Sequence, residues 1–177
     1  EDSQEIDFSL DYSWDNVKRK DFNMEFESAA NGAVLAGLKN APLLLTPSSG
    51  VDGDVQGALD LLGVRKVYLV SLSKDGGEVA TQLEDSRSWL QPSLEVEKME
   101  SFKGLAANIQ DLSGSDDIVF STTDPWSYWY VASEGPEGEQ KGSLAVGPAT
   151  LAGIHHGAPV IITECHEGTS SAQVWHN

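Results

Sequence analysis

The sequence predicts an α/β protein with a mostly parallel sheet, and three observations carry that expectation. Short aliphatic runs without strict alternation recur along the 177 residues, as suits strands buried on both faces. Stretches with helical spacing lie between them, which argues for βαβ units. One segment also occurs twice: residues 35–46 read LAGLKNAPLLLT and residues 151–163 read LAGIHHGAPVIIT. Upstream, Ile6, Phe8 and Ser9 match Ile118, Phe120 and Ser121. The offset is 112 from Ile6 to Ile118 and 117 from Ala41 to Ala158, so loop residues are gained along the unit. A period this long points to a duplicated α/β unit rather than a solenoid. The expectation is a single domain over 1–177, with a partial repeat in 1–95 and a second in 96–177, about one and a half βα units in all.

Taken in order, IDFSL (6–10) reads as the first strand, and the polar, aromatic segment 11–28 as the loop that follows it. AANGAVLAGLKN (29–40) is a helix rich in small residues, with Ala33, Leu35, Ala36 and Leu38 on its apolar side. APLLLT (41–46) is the next strand. DVQGALDLLGV (54–64) places Val55, Ala58, Leu59 and Leu62 on one stripe and stops at Gly63, a fitting C-cap. KVYLVSL (66–72), LEVEKM (94–99), DDIVFST (116–122) and APVIIT (158–163) are strands. GEVATQLEDSRSWL (77–90) and FKGLAANIQDLSG (102–114) are helices, the latter ending at Gly114. Residues 123–144 break this rhythm with an aromatic half and a Gly/Pro/Glu half.

Composition narrows the function. With 28 acidic and 11 basic residues the net charge is −17, which disfavours a nucleic-acid partner because phosphate binding needs a concentrated basic face. VKRK (17–20) is the one tight basic group. No apolar run approaches the ~20 residues of a membrane helix. The single Cys165 allows no internal disulfide and argues against a eukaryotic secreted protein. Beginning at Glu1 without Met, the sequence reads as a processed secreted product or an excised segment.

The order of small-residue LAG helix, Ala-Pro strand ending in Thr, helix ending in Leu-Gly and strand KVYLV resembles the cell-wall-binding repeat type 2 modules of bacterial and archaeal surface proteins. The residues that carry it are Leu35, Ala36, Gly37, Ala41, Pro42, Leu44, Leu45, Thr46, Leu59, Leu62, Gly63, Lys66, Val67 and Tyr68, and again Ala152, Gly153, Ala158, Pro159, Ile162 and Thr163. SFKGLAANI (101–109) departs from that pattern by lacking its Arg. The resemblance implies a flavodoxin-like three-layer sandwich, an extracellular, cell-surface location, and non-catalytic attachment to a cell-envelope polysaccharide or to like modules, including homo-oligomers. A flavodoxin-like small-molecule-binding or enzymatic domain is the first alternative, and a purely structural oligomerisation module the second.

The aromatic segment is the first candidate site. Asp124, Trp126, Tyr128 and Trp129 follow a strand directly, where parallel sheets build ligand crevices. Rings beside a carboxylate suit sugar stacking, although the same rings would equally fill a core. Asp11 and Trp14 stand in the matching segment of the first copy, and two such loops are expected to face each other. Asp52 and Asp54 offer a weak Ca²⁺ site without the remaining ligands of an EF-hand, and Asp54 is more simply a helix N-cap or first-turn acid. His155, His156, Cys165 and His166 lack zinc-site spacing. Ser48, Ser49, Ser71 and Ser121 lie at strand ends but outside any GxSxG context, so no catalytic set is named and no cofactor is expected.

Overall fold

The computed structural model describes residues 8–72, 77–86, 94–122 and 145–163, with 8–23 as backbone only. Along the chain run α1 (Phe8–Lys39), α2 (Gly53–Leu62), β1 (Lys66–Val70), α3 (Gly77–Ser86), β2 (Glu95–Met99), α4 (Phe102–Ser113), β3 (Val119–Thr122), α5 (Val146–His156) and β4 (Val160–Thr163). The architecture is mixed α/β with two small parallel sheets. In one, β1 pairs with β2 from Lys66 opposite Glu95 to Val70 opposite Met99. In the other, β3 pairs with β4 from Val119 opposite Val160 to Thr122 opposite Thr163. A parallel pair needs a crossover, supplied by α3 in the first sheet and α5 in the second.

Local chemistry sets the helix ends. Asp52 is the N-cap of α2, its carboxylate accepting from Val55 N at 2.8 Å, while Asp54 is the acid of the first turn. Ser101 caps α4 through Gly104 N. Gly63 and Gly114 end α2 and α4, as the sequence led one to expect. The core gathers on the second half of α1: Val34, Leu105, Ile109 and Val160 are fully buried, with Ala30, Leu35, Leu72, Met99 and Val146 around them.

The duplication survives in the helices. Asn40 and Gly157 close α1 and α5 in the left-handed region, at φ 50° and 62°. Behind these caps Ala41 N donates to Ala36 O and Ala158 N to Gly153 O, both at 2.9 Å. The two helix ends also pack on each other. A side chain on Gly37 would meet Ile154 Cγ2 at 3.1 Å, and one on Gly153 would meet Val34 Cγ2 at 3.0 Å.

Two expected strands are corrected. Residues 8–10 belong to α1, which continues through 11–28 where a loop was expected. No Pro or Gly interrupts the chain between Phe8 and Asn31, and Asp15 precedes Arg19 by four residues, the favourable order on a helix. Residues 41–46 form no strand either. Their sister, β4, pairs with β3; the counterpart of β3 is residues 6–10, whose described part is helical and therefore offers no ladder. Thr46 and Thr163 accordingly do not share a sheet edge, and the Thr46 hydroxyl instead donates to Gly50 O at 2.7 Å.

Candidate functional site

In parallel sheets the crevice for ligands opens beyond the carboxyl ends of the strands; here one turn of α1 runs along the edge of β4, from Val160 at its amino end to Ile162, and reaches Leu72 past the carboxyl end of β1. Asn31 is fully buried. Its Oδ1 accepts from Val160 N at 2.8 Å, and its Nδ2 donates to Val160 O and to Glu27 O, each at 2.8 Å. One turn earlier, Glu27 Oε1 accepts from Ile162 N at 2.9 Å. Val119 N donates to Pro159 O, so Val160 and Ile162 present their backbone groups on the edge of β4 away from β3. Side chains of a helix thus stand where a further strand would pair. Next to them, Ser28 Oγ donates to Met24 O at 2.6 Å and accepts from Leu72 N at 2.9 Å, just past β1. A single helical turn therefore lines the edge of β4 and reaches the carboxyl end of β1.

Burial pushes the Glu27 carboxyl above the ordinary carboxylate range, and the hydrogen bond from Ile162 N pulls it part of the way back. Across the second sheet, the Thr163 hydroxyl donates to Ser121 O at 3.1 Å. Glu27, Ser28, Asn31 and Thr163 all engage backbone groups, which suits them to fixing the strand ends that carry the adjoining loops. His155 and His156 close α5 at the opposite, amino end of the strands. There His156 Nδ1 lies 3.4 Å from Asp117 and its ring meets that of His155 edge-on at 5.3 Å. Ser121 and these histidines are therefore at opposite ends of the strands, and Ser48 and Ser49 are exposed in the segment after α1.

Asp124, Trp126, Tyr128 and Trp129 lie outside the described residues, as do Cys165 and His166. β3 ends at Thr122, so the chain enters the aromatic segment from a carboxyl edge. Asp11 and Trp14 fall within α1 rather than in a loop, which corrects the expectation of two facing loops; their side chains are outside the described set. Asp52 is engaged as a cap and Asp54 is exposed. Among the described residues no cluster of three or more His, Cys, Asp or Glu side chains converges on one point, and no helix is long and apolar enough to cross a membrane.

Sequence reasoning missed Glu27, Ser28 and Asn31. The available signal was a Glu and an Asn at i and i+4 on the side of Ala30 and Val34, polar groups on a helix face otherwise made of small apolar residues.

A concavity of about 610 Å³, mostly aliphatic, runs along β1 and reaches Ser28 and Ser71 past its carboxyl end. On its wall the ammonium groups of Lys39 and Lys66 lie 4.5 and 4.9 Å from the centre of the Tyr68 ring. Lys66 also contacts Glu95 and Glu97, each at 2.8 Å, and hydrogen bonds to first the one and then the other raise its pKa above the ordinary lysine range. Compared with protein-family models, curated proteins and solved structures, the chain matches none.

Proposed function

We propose that this chain is a non-catalytic module of a prokaryotic cell-surface protein that binds a cell-envelope polysaccharide or assembles with like modules. We further propose that its two parallel sheets belong to a flavodoxin-like three-layer arrangement. The observation that carries the reading is the internal duplication: two LAG helices with the same Ala-Pro continuation, the same left-handed cap and the same hydrogen bond behind it, packed on each other through Gly37 and Gly153. Surface modules of this kind are built by repetition. The ligand-contacting part is the aromatic segment with Asp124, Trp126, Tyr128 and Trp129, joined to the carboxyl edge of β3.

Assembly with like modules has its own support. Ile118 and Phe120 are 47% and 65% exposed, and Leu151 on α5 is 68% exposed. Such apolar surface is a common mark of protein contact.

Net charge sets the ionic conditions of binding. At −17, an anionic polymer is repelled unless salt screens the field or divalent cations bridge it. The test is co-sedimentation of the full chain with isolated cell envelopes, alongside titration of its tryptophan fluorescence with soluble envelope polysaccharide. Binding strengthened by millimolar Ca²⁺ and lost with chelator is the expected result. Sedimentation equilibrium of the chain alone reads the assembly arm. A monomer without envelope or polysaccharide binding in either ionic condition would overturn the proposal.

A further inference from the structure

Among the described residues, the outer edge of β1 carries no strand. Glu95 N donates to Arg65 O and Ser71 N donates to Met99 O, so these alternate positions face β2. By the pleat, the N–H and C=O groups of Lys66, Tyr68 and Val70 face the other way. Among the described residues β1 has no strand on that side, and Leu72 N, beyond the strand, is met by the Ser28 hydroxyl. The aliphatic cavity lies along this edge, with residues 41–48 forming its far wall. An apolar small molecule filling it would leave the backbone groups of Lys66, Tyr68 and Val70 without partners in an apolar setting, which is unfavourable. A strand meets all of them in register. The corresponding edge of β4 is closed to a strand, because Asn31 and Glu27 already occupy it.

We propose that the β1 edge is a strand-docking site and that its occupant is the chain's own segment Ala41–Thr46, a strap that closes onto the edge from the detached position described above. The sister segment Ala158–Thr163 has the same order of Ala-Pro, three aliphatics and Thr, and it provides a parallel strand. The strap is tethered at both ends. Ala41 N is held by Ala36 O, while Thr46 is tied to Gly50 and Val51 N to Gln82 Oε1 at 2.7 Å. Tethering gives the strap a local concentration that a free partner must exceed. The left-handed Asn40 and Gly50, at φ 50° and 141°, stand on either side of it as turning points. Gly32 marks the place of approach, since a side chain there would touch Leu43 at 3.6 Å on one side and Val70 at 3.8 Å on the other. Closure also has a driving force. Leu43 and Leu45 are 45% and 68% exposed, and the strap covers apolar surface as it pairs.

Hydrogen exchange of individual backbone amides in the full chain tests this, with Leu43→Pro and Leu44→Pro as separate variants. Adjacent strap residues face opposite ways, so one of the two substitutions removes a ladder donor whatever the register. In the parent, the amides of Lys66, Tyr68 and Val70 should be protected by about tenfold or more over free-peptide rates. That protection should fall toward unity in at least one Pro variant. The amides of Val67 and Leu69, bonded to β2, should keep theirs and so report an intact fold. Unprotected Lys66, Tyr68 and Val70 amides in the parent would overturn the proposal, as would protection unchanged in both variants. Protection that fades on dilution would also overturn it, identifying a second copy as the occupant.

Discussion

Replacing Asn31 with Ala removes the one amide that serves both backbone groups of Val160. The side chain is fully buried and makes three hydrogen bonds of 2.8 Å, two of them to Val160, which is itself fully buried. Truncation leaves Val160 N–H and Val160 C=O without partners, and each orphaned buried group costs about 1–3 kcal/mol. The sum is about 2–6 kcal/mol, against a total stability for a domain of about 5–15 kcal/mol. Asn31→Asp discriminates further. It retains the acceptor for Val160 N but loses the donor to Val160 O and buries a charge, so it should be the worse variant at neutral pH. It should recover part of the loss in acid, where a protonated carboxyl donates again. Urea unfolding followed by circular dichroism, with equal m-values required for comparison, measures both. A loss below about 1 kcal/mol for Asn31→Ala would refute the reasoning, because an exposed edge served by water behaves that way.

The paired glycines should respond unequally. Gly153→Ala sets a Cβ within 2.8 Å of Val160 Cγ2 and 2.9 Å of Ala158 O, and overpacking of this kind costs about 1–3 kcal/mol. Gly37→Ala meets Ile154 Cγ2, a methyl fixed on a β-branched carbon, at 3.1 Å, so that contact offsets the helix propensity gain of about 1 kcal/mol and the variant should stay close to the parent; thermal unfolding of the two variants checks the difference. Glu27, whose carboxyl is raised by burial, binds its proton more tightly folded than unfolded, so its contribution is most favourable in acid. That contribution declines as pH rises from the ordinary carboxylate value of about 4.3 through the raised one. Glu27→Gln should flatten this part of the stability profile while keeping an acceptor for Ile162 N, as urea titrations across pH 4 to 8 would reveal. Trp129→Ala should weaken polysaccharide binding by about 1–2 kcal/mol with an unchanged melting temperature if the ring stacks on sugar. A stability loss of about 3–5 kcal/mol with no fluorescence response of the parent to any sugar would instead assign the ring to the core.

Much of the architecture was legible because its signals are local. KVYLV and VIIT are strands on aliphatic content, EVEKM has only Val96 and Met99 as apolar residues, and α2, α4 and α5 end at glycines visible in the sequence. The first strand was misread because Ile6, Phe8 and Ser9 match the β3 region, and three matched residues weigh less than an unbroken run without Gly or Pro. Once residues 8–10 are helical, Ala41–Thr46 lacks the neighbour that β3 gives its sister β4, and it stands detached. The turn of Glu27, Ser28 and Asn31 was hidden for another reason. Its meaning depends on Val160, 129 residues away from Asn31, and no local pattern reports that contact. The aromatic candidates Asp124, Trp126, Tyr128 and Trp129 stand outside the described residues.

The helix-side cover on β4 works because two rulers of different pitch agree over a short distance. Glu27 and Asn31 are four residues apart on α1, an axial step of about 6.0 Å, whereas Val160 and Ile162 are two apart on a strand, a step of about 6.6 Å. The two rulers therefore drift by about 0.6 Å with each rung, like a vernier, and agree well only over a rung or two. β4 is four residues long, so it fits within that agreement. Toward the amino end of β4 the next helix position, residue 35, is Leu, and there Ala158 N is taken by Gly153 O instead. The two rungs that α1 supplies deny the edge to any neighbouring chain seeking a template. One pair of polar side chains thus sets the width of the sheet.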